Sequence, residues 1–298
     1  MFKMSEYSFI AGVLSVGLAL VCYIIAFASV RVARVRPAVA GAGAAAGGGD
    51  ATVTVVRHGP SSLASYGTLI AWLALAFLTA SLVFRTIATG HGPFANMYEF
   101  SIAFAYGALA GYLYFEYRYH QRALGLIALP VVLGLLVYAM TIPATIDPLV
   151  PALQNSLLLT VHVAVAIVAY GTFTVAFAAA VLNLVQPAGG RRGLPRPELL
   201  DEISYRAVVI GFPFMTLVLV LGALWAEVAW GRYWGWDPKE TASLVTWLIY
   251  GSYLHARVVR GWRGRRAAWL LILGFAATLF TYFGNLFFGG LHSYGGLG

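Results

Sequence analysis

The sequence predicts an all-α membrane protein, a polytopic helical bundle of about eight transmembrane helices with both termini extracytoplasmic. Three observations predict it. Hydrophobic residues make up 60% of the 298-residue chain and charged ones only 10%, far from the balance of a soluble domain. Apolar runs of about 20 residues recur from one end to the other, the length that crosses a hydrocarbon core as a helix. The runs are continuous and do not alternate. That excludes a barrel, the other architecture that satisfies every backbone group in lipid.

Taken in order, the segments are 8–30, 63–84, 97–117, 123–141, 156–185, 206–228, 240–258 and 267–288. The first ends on Ala26-Phe27-Ala28, which looks like a signal-peptide cleavage site. Its apolar run is too long for that, and Arg31, Arg34 and Arg36 follow directly, the pattern of an anchor. Next comes the Ala/Gly stretch 37–49, with too little apolar bulk to form a core and the composition of a flexible linker. The chain therefore divides into an anchor over 1–36, a linker over 37–62 and a main transmembrane domain over 63–298. Segments two to five are joined by short connections. Residues 186–205 form a larger one, whose latter part reads as a short surface helix starting at Pro197, with Glu198, Asp201 and Glu202 in its first turns. Segment seven has a sharp beginning: Asp237 suits an N-cap, Pro238 the first helical position, and Glu240 completes a capping-box pattern.

Orientation follows from the basic residues. Arg31, Arg34, Arg36 and Arg57, then Arg118 and Arg122, then Arg191, Arg192, Arg196 and Arg206, then Arg257, Arg260, Arg263, Arg265 and Arg266 occupy alternate connections. Lys3, Arg85, Arg232 and Lys239 fall on the other side. The positive-inside rule places that second side outside the cytoplasm. The net charge of +8 is thus mostly a topology signal. Nothing in it forms a nucleic-acid patch.

Several chemistries are excluded. Cys22 is the single cysteine, so the chain has no CxxC for dithiol exchange. The glycine-rich run is not followed by Lys-Ser/Thr, which removes a phosphate loop, and no nucleophile elbow occurs.

What remains is concentrated in "AWGRYWGWDPKETASL", residues 229–244. Trp225, Trp230, Trp234 and Trp236, with Tyr233, lie at the outer end of segment six and in the loop beyond. Two readings stand open. One is an aromatic belt at headgroup level. The other is a platform for a flat ligand, with Gly231 and Gly235 allowing close approach.

Of the six histidines, His58 and His120 read as solvated cytoplasmic residues and His91 as structural. His162 lies about 10 Å into segment five from its outer end, at 1.5 Å per residue. His292 sits in the glycine-rich tail "GGLHSYGG", which is able to fold back over the bundle. His255 lies about 22 Å below the outer surface, near the cytoplasmic side. Intramembrane ionisable residues are scarce and usually functional. Two outer imidazoles beside an indole platform fit haem, since imidazole ligates its iron and indoles cover its faces. Zinc fits less well, for want of cysteines or tighter spacing.

"WGRYWGWDPKETASLVTWLIYGSYLHAR", with "GHGPFANMYEF", "LLLTVHVAVAIVAYGTF" and "GNLFFGGLHSYG" in that order, resembles the tryptophan-rich haem-handling membrane proteins. Within them it is most similar to the CcsA/ResC subunits (named CcsB in some bacteria) of the System II cytochrome c synthases. The resemblance covers roughly 63 to 298. It implies a holocytochrome c synthase (haem lyase) subunit, multi-pass in the plasma membrane, with its active site on the extracytoplasmic side. Haem b, bound as substrate, comes from the cytoplasmic side and is joined outside to the CxxCH of apocytochrome c.

By match of motif, His162 and His292 are the catalytic axial ligands of the external site, and Trp225, Trp230, Tyr233, Trp234, Trp236 and Asp237 hold the porphyrin. His255 ligates iron at an inner site whose other ligand comes from a ResB/CcsB-like partner. Arg85, Arg232 and Lys239 are candidate partners for the haem propionates. Two rivals are a System I haem-delivery protein of the CcmC type and a b-type electron-transfer cytochrome. The run of "WDPKE" into "YLHAR", the eight helices and His255 favour System II over the first. A single inner histidine counts against the second.

Overall fold

The computed structural model describes residues 1–29, 61–146, 149, 153–154, 156–187, 194–284 and 287–292. The Ala/Gly stretch, His58, Arg191 and Arg192 lie outside them. Among the described residues there are eight α-helices and no strand. They are α1 (Phe2–Ala28), α2 (Ser61–Thr89), α3 (Met97–Tyr119), α4 (Gly125–Met140), α5 (Ser156–Val185), α6 (Pro197–Trp230), α7 (Pro238–Arg260) and α8 (Arg265–Phe283), with a 3-10 turn at Arg122–Leu124 leading into α4.

Six helices are long and apolar enough to cross a membrane; α3 and α7 are not, by composition. The sequence reading draws all eight as spans. The difference has a physical cause. Both helices run 23 residues, about 34 Å at 1.5 Å per residue, but they carry polar groups that point into protein. Glu99 and Glu116 of α3 are buried, as are Glu240, Thr246 and Arg257 of α7. Such groups are tolerated at membrane depth when turned to the bundle interior. A second difference concerns the expected surface helix at Pro197. It is the beginning of α6, which continues unbroken for 34 residues. Nothing between Glu198 and Arg206 is a Gly or Pro, so no backbone reason exists to interrupt it.

The helices alternate in direction. α1 packs on α2, α5 on α6 and α7 on α8, with α3 set between α2, α4 and α5. The α3–α5 crossing is close. A Cβ on Gly171 would collide with the Gly107 carbonyl, and one on Gly111 would lie 2.9 Å from the carbonyl oxygen of Gly171. Small residues permit this backbone approach where lipid supplies no hydrophobic drive. The close α3–α5 approach sets His162 of α5 beside the aromatic start of α3.

One end of the bundle gathers the starts of α1, α3, α5 and α7 and the ends of α2, α4, α6 and α8. It is marked by the Ser5–Ser81 hydrogen bonds and by the Arg85 guanidinium, which donates to the carbonyls of Ala144 and Thr145. At the other end, Tyr23 and Thr68 meet Glu116 and Arg257 meets Asp201.

Candidate functional site

At the first of these ends a cavity opens between α3, α5, α6, α7, the end of α8 and the carboxyl-terminal tail. Its space, open mouth included, is about 870 Å³. Aromatic and aliphatic side chains line most of it, with His162, Lys239, Glu240, Ser243, Thr281 and His292 as the polar groups among them.

Both outer histidines reach this cavity. His162 projects from the second turn of α5 against Gly222 of α6, where a Cβ would stand 3.0 Å from the ring's Cε1. Only a glycine leaves the imidazole that room. Its Nδ1 is buried and makes no well-formed hydrogen bond among the described residues, although the Val218 carbonyl is nearby. A buried ring nitrogen in that state is unusual and suits a group that a ligand completes.

His292 is delivered by the tail. Its Nδ1 lies 2.8 Å from Oδ1 of Asp237, and the Leu291 N–H donates to Oδ2 at 2.6 Å. Gly290 presses on the same carboxylate so closely that a Cβ there would collide with Oδ2. Asp237 meanwhile accepts from the Lys239 N–H as the cap of α7, and the capping box with Glu240 is complete. One carboxylate therefore starts a helix and docks the tail. Burial pulls the His292 imidazole below its ordinary value, against the Asp237 hydrogen bond that draws it up. Burial would raise Asp237, but the His292 hydrogen bond and field, with the N–H groups of Lys239 and Leu291, hold it at about 2. At neutral pH the pair is a carboxylate and a neutral imidazole. Donation from Nδ1–H to Asp237 places the ring's lone pair on Nε2, the tautomer a metal takes up.

The aromatic residues of the tryptophan-rich stretch separate into three sets. Trp225, 2% exposed, and Trp234 line the cavity. Trp230 stands edge-on to His292 with centroids 4.8 Å apart, and Trp225 lies 5.8 Å from the same ring. Tyr233 and Trp236 are 57% and 69% exposed and do not line the cavity. Trp236 is also held at φ 55, a region that side chains rarely adopt. Phe100, Phe104, Tyr170 and Tyr282 complete the aromatic wall, with Tyr170 stacked on Phe104 at 5.1 Å. Nothing local in the sequence marks these four, because aromatic residues are abundant along the chain.

The three external cations also separate. Arg85 is buried, pairs with Glu99 at 2.8 Å and donates to two backbone carbonyls, so it holds the α2–α3 corner together. Arg232 is exposed. Lys239 lines the cavity. His91 bonds within its own loop, its Nδ1 at 2.8 Å from the Gly92 carbonyl. His255 is on the exposed face of α7, far from the cavity. Among the described residues no group of three or more His, Cys, Asp or Glu is placed to hold a metal ion.

Residues 94–292 match the family described as cytochrome C assembly protein, an interval that opens at the cavity's end of the bundle and closes on His292. The chain belongs to the cytochrome c assembly protein family. Its members include proteins similar to this chain over most of their length. The cytochrome c biogenesis protein CcsA of Guillardia theta is 36% identical over 260 residues, covering 78% of this chain and 85% of that protein. CcsA of Gloeobacter violaceus is 34% identical over 297 residues, covering 79% and 88%. Among solved structures, cytochrome c haem lyase CcmF superposes with a TM-score of 0.66 at 20% identity, over 95% of this chain and 46% of that one. At that identity the likeness is one of fold, and this chain spans about half the length of that protein. In this cytochrome c assembly bundle, Trp225, Trp234 and the two histidines line one cavity.

Proposed function

We propose that this chain is a haem-handling subunit of a System II cytochrome c synthase. It takes haem b as substrate in the cavity between His162 and His292 and presents it to the CxxCH segment of apocytochrome c. The observation that carries this reading is the convergence of the two imidazoles on one cavity walled by Trp225 and Trp234. Two imidazoles saturate haem iron and shield it, and indole and phenyl faces cover an apolar macrocycle.

In the attachment step each substrate thiol adds across a haem vinyl group. The S–H and the C=C π bond are lost, one S–C and one C–H bond form, and no net oxidation occurs. The chain's own contribution is positional. It holds the macrocycle still while the incoming histidine replaces one imbedded imidazole, and such positioning is worth several kcal/mol. The glycine-rich tail makes His292 the exchangeable ligand, because its docking rests on one carboxylate, whereas His162 is fixed in a helix. In this reading the cavity faces the extracytoplasmic side of the plasma membrane. The exposed face of α7 bearing His255 meets a ResB-like partner at the inner haem site.

The test is co-expression with a ResB-like partner and a CxxCH reporter. Covalent haem should appear with the native chain and be lost with His162→Ala or His292→Ala. Full attachment by the double variant would overturn the external-site reading. His255→Ala should lower haem content, and unchanged content and activity would remove the inner site alone.

A further inference from the structure

Two axial imidazoles fix the iron but leave a planar macrocycle able to turn about the axis through it. Something at the periphery must stop that rotation if two vinyl groups are to meet two thiols. Haem offers a handle, because its two propionates lie along one edge. Among the described residues lining the cavity, Lys239 is the one lysine or arginine. Arg85 is taken up by Glu99 and two carbonyls, and Arg232 is exposed.

Lys239 has a different setting. It lies within no ion-pair distance of a carboxylate among the described residues, and its ammonium rests 5.5 Å from the centroid of Phe100. The one acid on the cavity wall, Glu240, is turned away to accept from the Gly235 and Asp237 N–H groups. A ring face is a weaker partner for an ammonium than a carboxylate is. The positive end of the α7 dipole adds to the preference for an anion at this place.

We propose that Lys239 is the anion-binding residue of the cavity, pairing with one propionate and setting the in-plane orientation of haem between His162 and His292. The assignment rests on the haem reading above and adds to it a specificity-determining contact. Against a largely apolar wall the pairing is stronger than at a fully exposed surface, and it selects one rotational setting from those the imidazoles allow.

The full chain, purified in detergent, tests this by visible-spectrum titration with haem and with haem dimethyl ester, which keeps iron and ring but has no propionate charge. Native protein should bind haem about 10-fold or more tightly than the ester. Lys239→Met should bind both alike, close to the native affinity for the ester, and Lys239→Arg should keep the preference. Equal binding of the two ligands by native protein, each with a bis-imidazole spectrum, would overturn the Lys239 assignment and leave the external site standing. Retained discrimination in Lys239→Met would overturn it equally. Absence of a bis-imidazole spectrum with either ligand would remove the site and the assignment together. Should Lys239→Met not fold, the native comparison of haem with its ester still decides.

Discussion

At the end of the bundle away from the cavity, Arg257 Nη1 lies 2.7 Å from Asp201 Oδ2, and Asp201 Oδ1 accepts from the Gly264 N–H. The Arg257 guanidinium also rests on the Tyr205 ring at 4.6 Å. Nearby in the same layer, Glu116 accepts from Tyr23, Tyr112 and Thr68. At the cavity end the same residue types are arranged otherwise. Lys239 lines a cavity beside a phenyl ring and lies within ion-pair distance of no carboxylate among the described residues. Charges that pair within the bundle hold a structure together; a cation that lines a cavity without a carboxylate partner is prepared for something that arrives. The Arg85–Glu99 pair sharpens the contrast, since it sits at the cavity end and yet belongs to the first kind.

The largest effect should come from breaking a pair at the far end. Asp201→Ala leaves buried Arg257 with only Glu202, 4.0 Å away and half exposed, and should cost about 3 kcal/mol of stability, read as a lower thermal midpoint in detergent. Haem bound by the surviving folded protein should keep its native spectrum. A lost spectrum at unchanged stability would break the comparison.

At the cavity end the order reverses. Asp237→Asn keeps a competent N-cap but removes the carboxylate that orients His292. Haem affinity should fall by about 10- to 100-fold with little change in midpoint. Free imidazole should restore the bis-imidazole spectrum.

Acidity should act in the same place and more gently. His292 in a detached tail protonates at the ordinary imidazole value of about 6.5, but when docked only at lower pH, because burial disfavours its charge. Tail docking is therefore complete above that range and weakens as pH falls through it. Asp237, held at about 2, stays ionised throughout, while Lys239 and Glu240 act on the imidazole in opposite senses. Haem titrations between pH 7.5 and 5.5 should show affinity falling with pH, and His292→Ala should remove that slope. The smallest effect should come from Trp236→Ala: the side chain is 69% exposed, and haem affinity should stay within about twofold.

Much of this was legible along the chain. The helices, their number and the capping box of α7 follow from apolar run length and local hydrogen-bonding chemistry, which act over a few residues. His162 and His292 were selectable because intramembrane and glycine-flanked tail histidines are rare here. The role of Asp237 was only half readable: spacing identified a helix cap, while the hydrogen bond to a residue 55 positions away has no local signal. Gly222 and the Gly107–Gly171 crossing were unreadable for the same reason. The spacing of Trp236 and Tyr233 matched their neighbours, yet the turn at Gly231, φ 71, carries them outward.

By itself, then, the sequence determined that the chain is a bundle of eight largely apolar helices, and which few polar residues do not belong in lipid. Periodicity, caps and transfer energies are properties of neighbouring residues, so they are written in linear order. Only the tertiary structure decided which of those polar residues satisfy one another and which share a cavity. That depends on how closely helices approach and where a tail docks, and such distances are set by packing between residues that the chain keeps far apart.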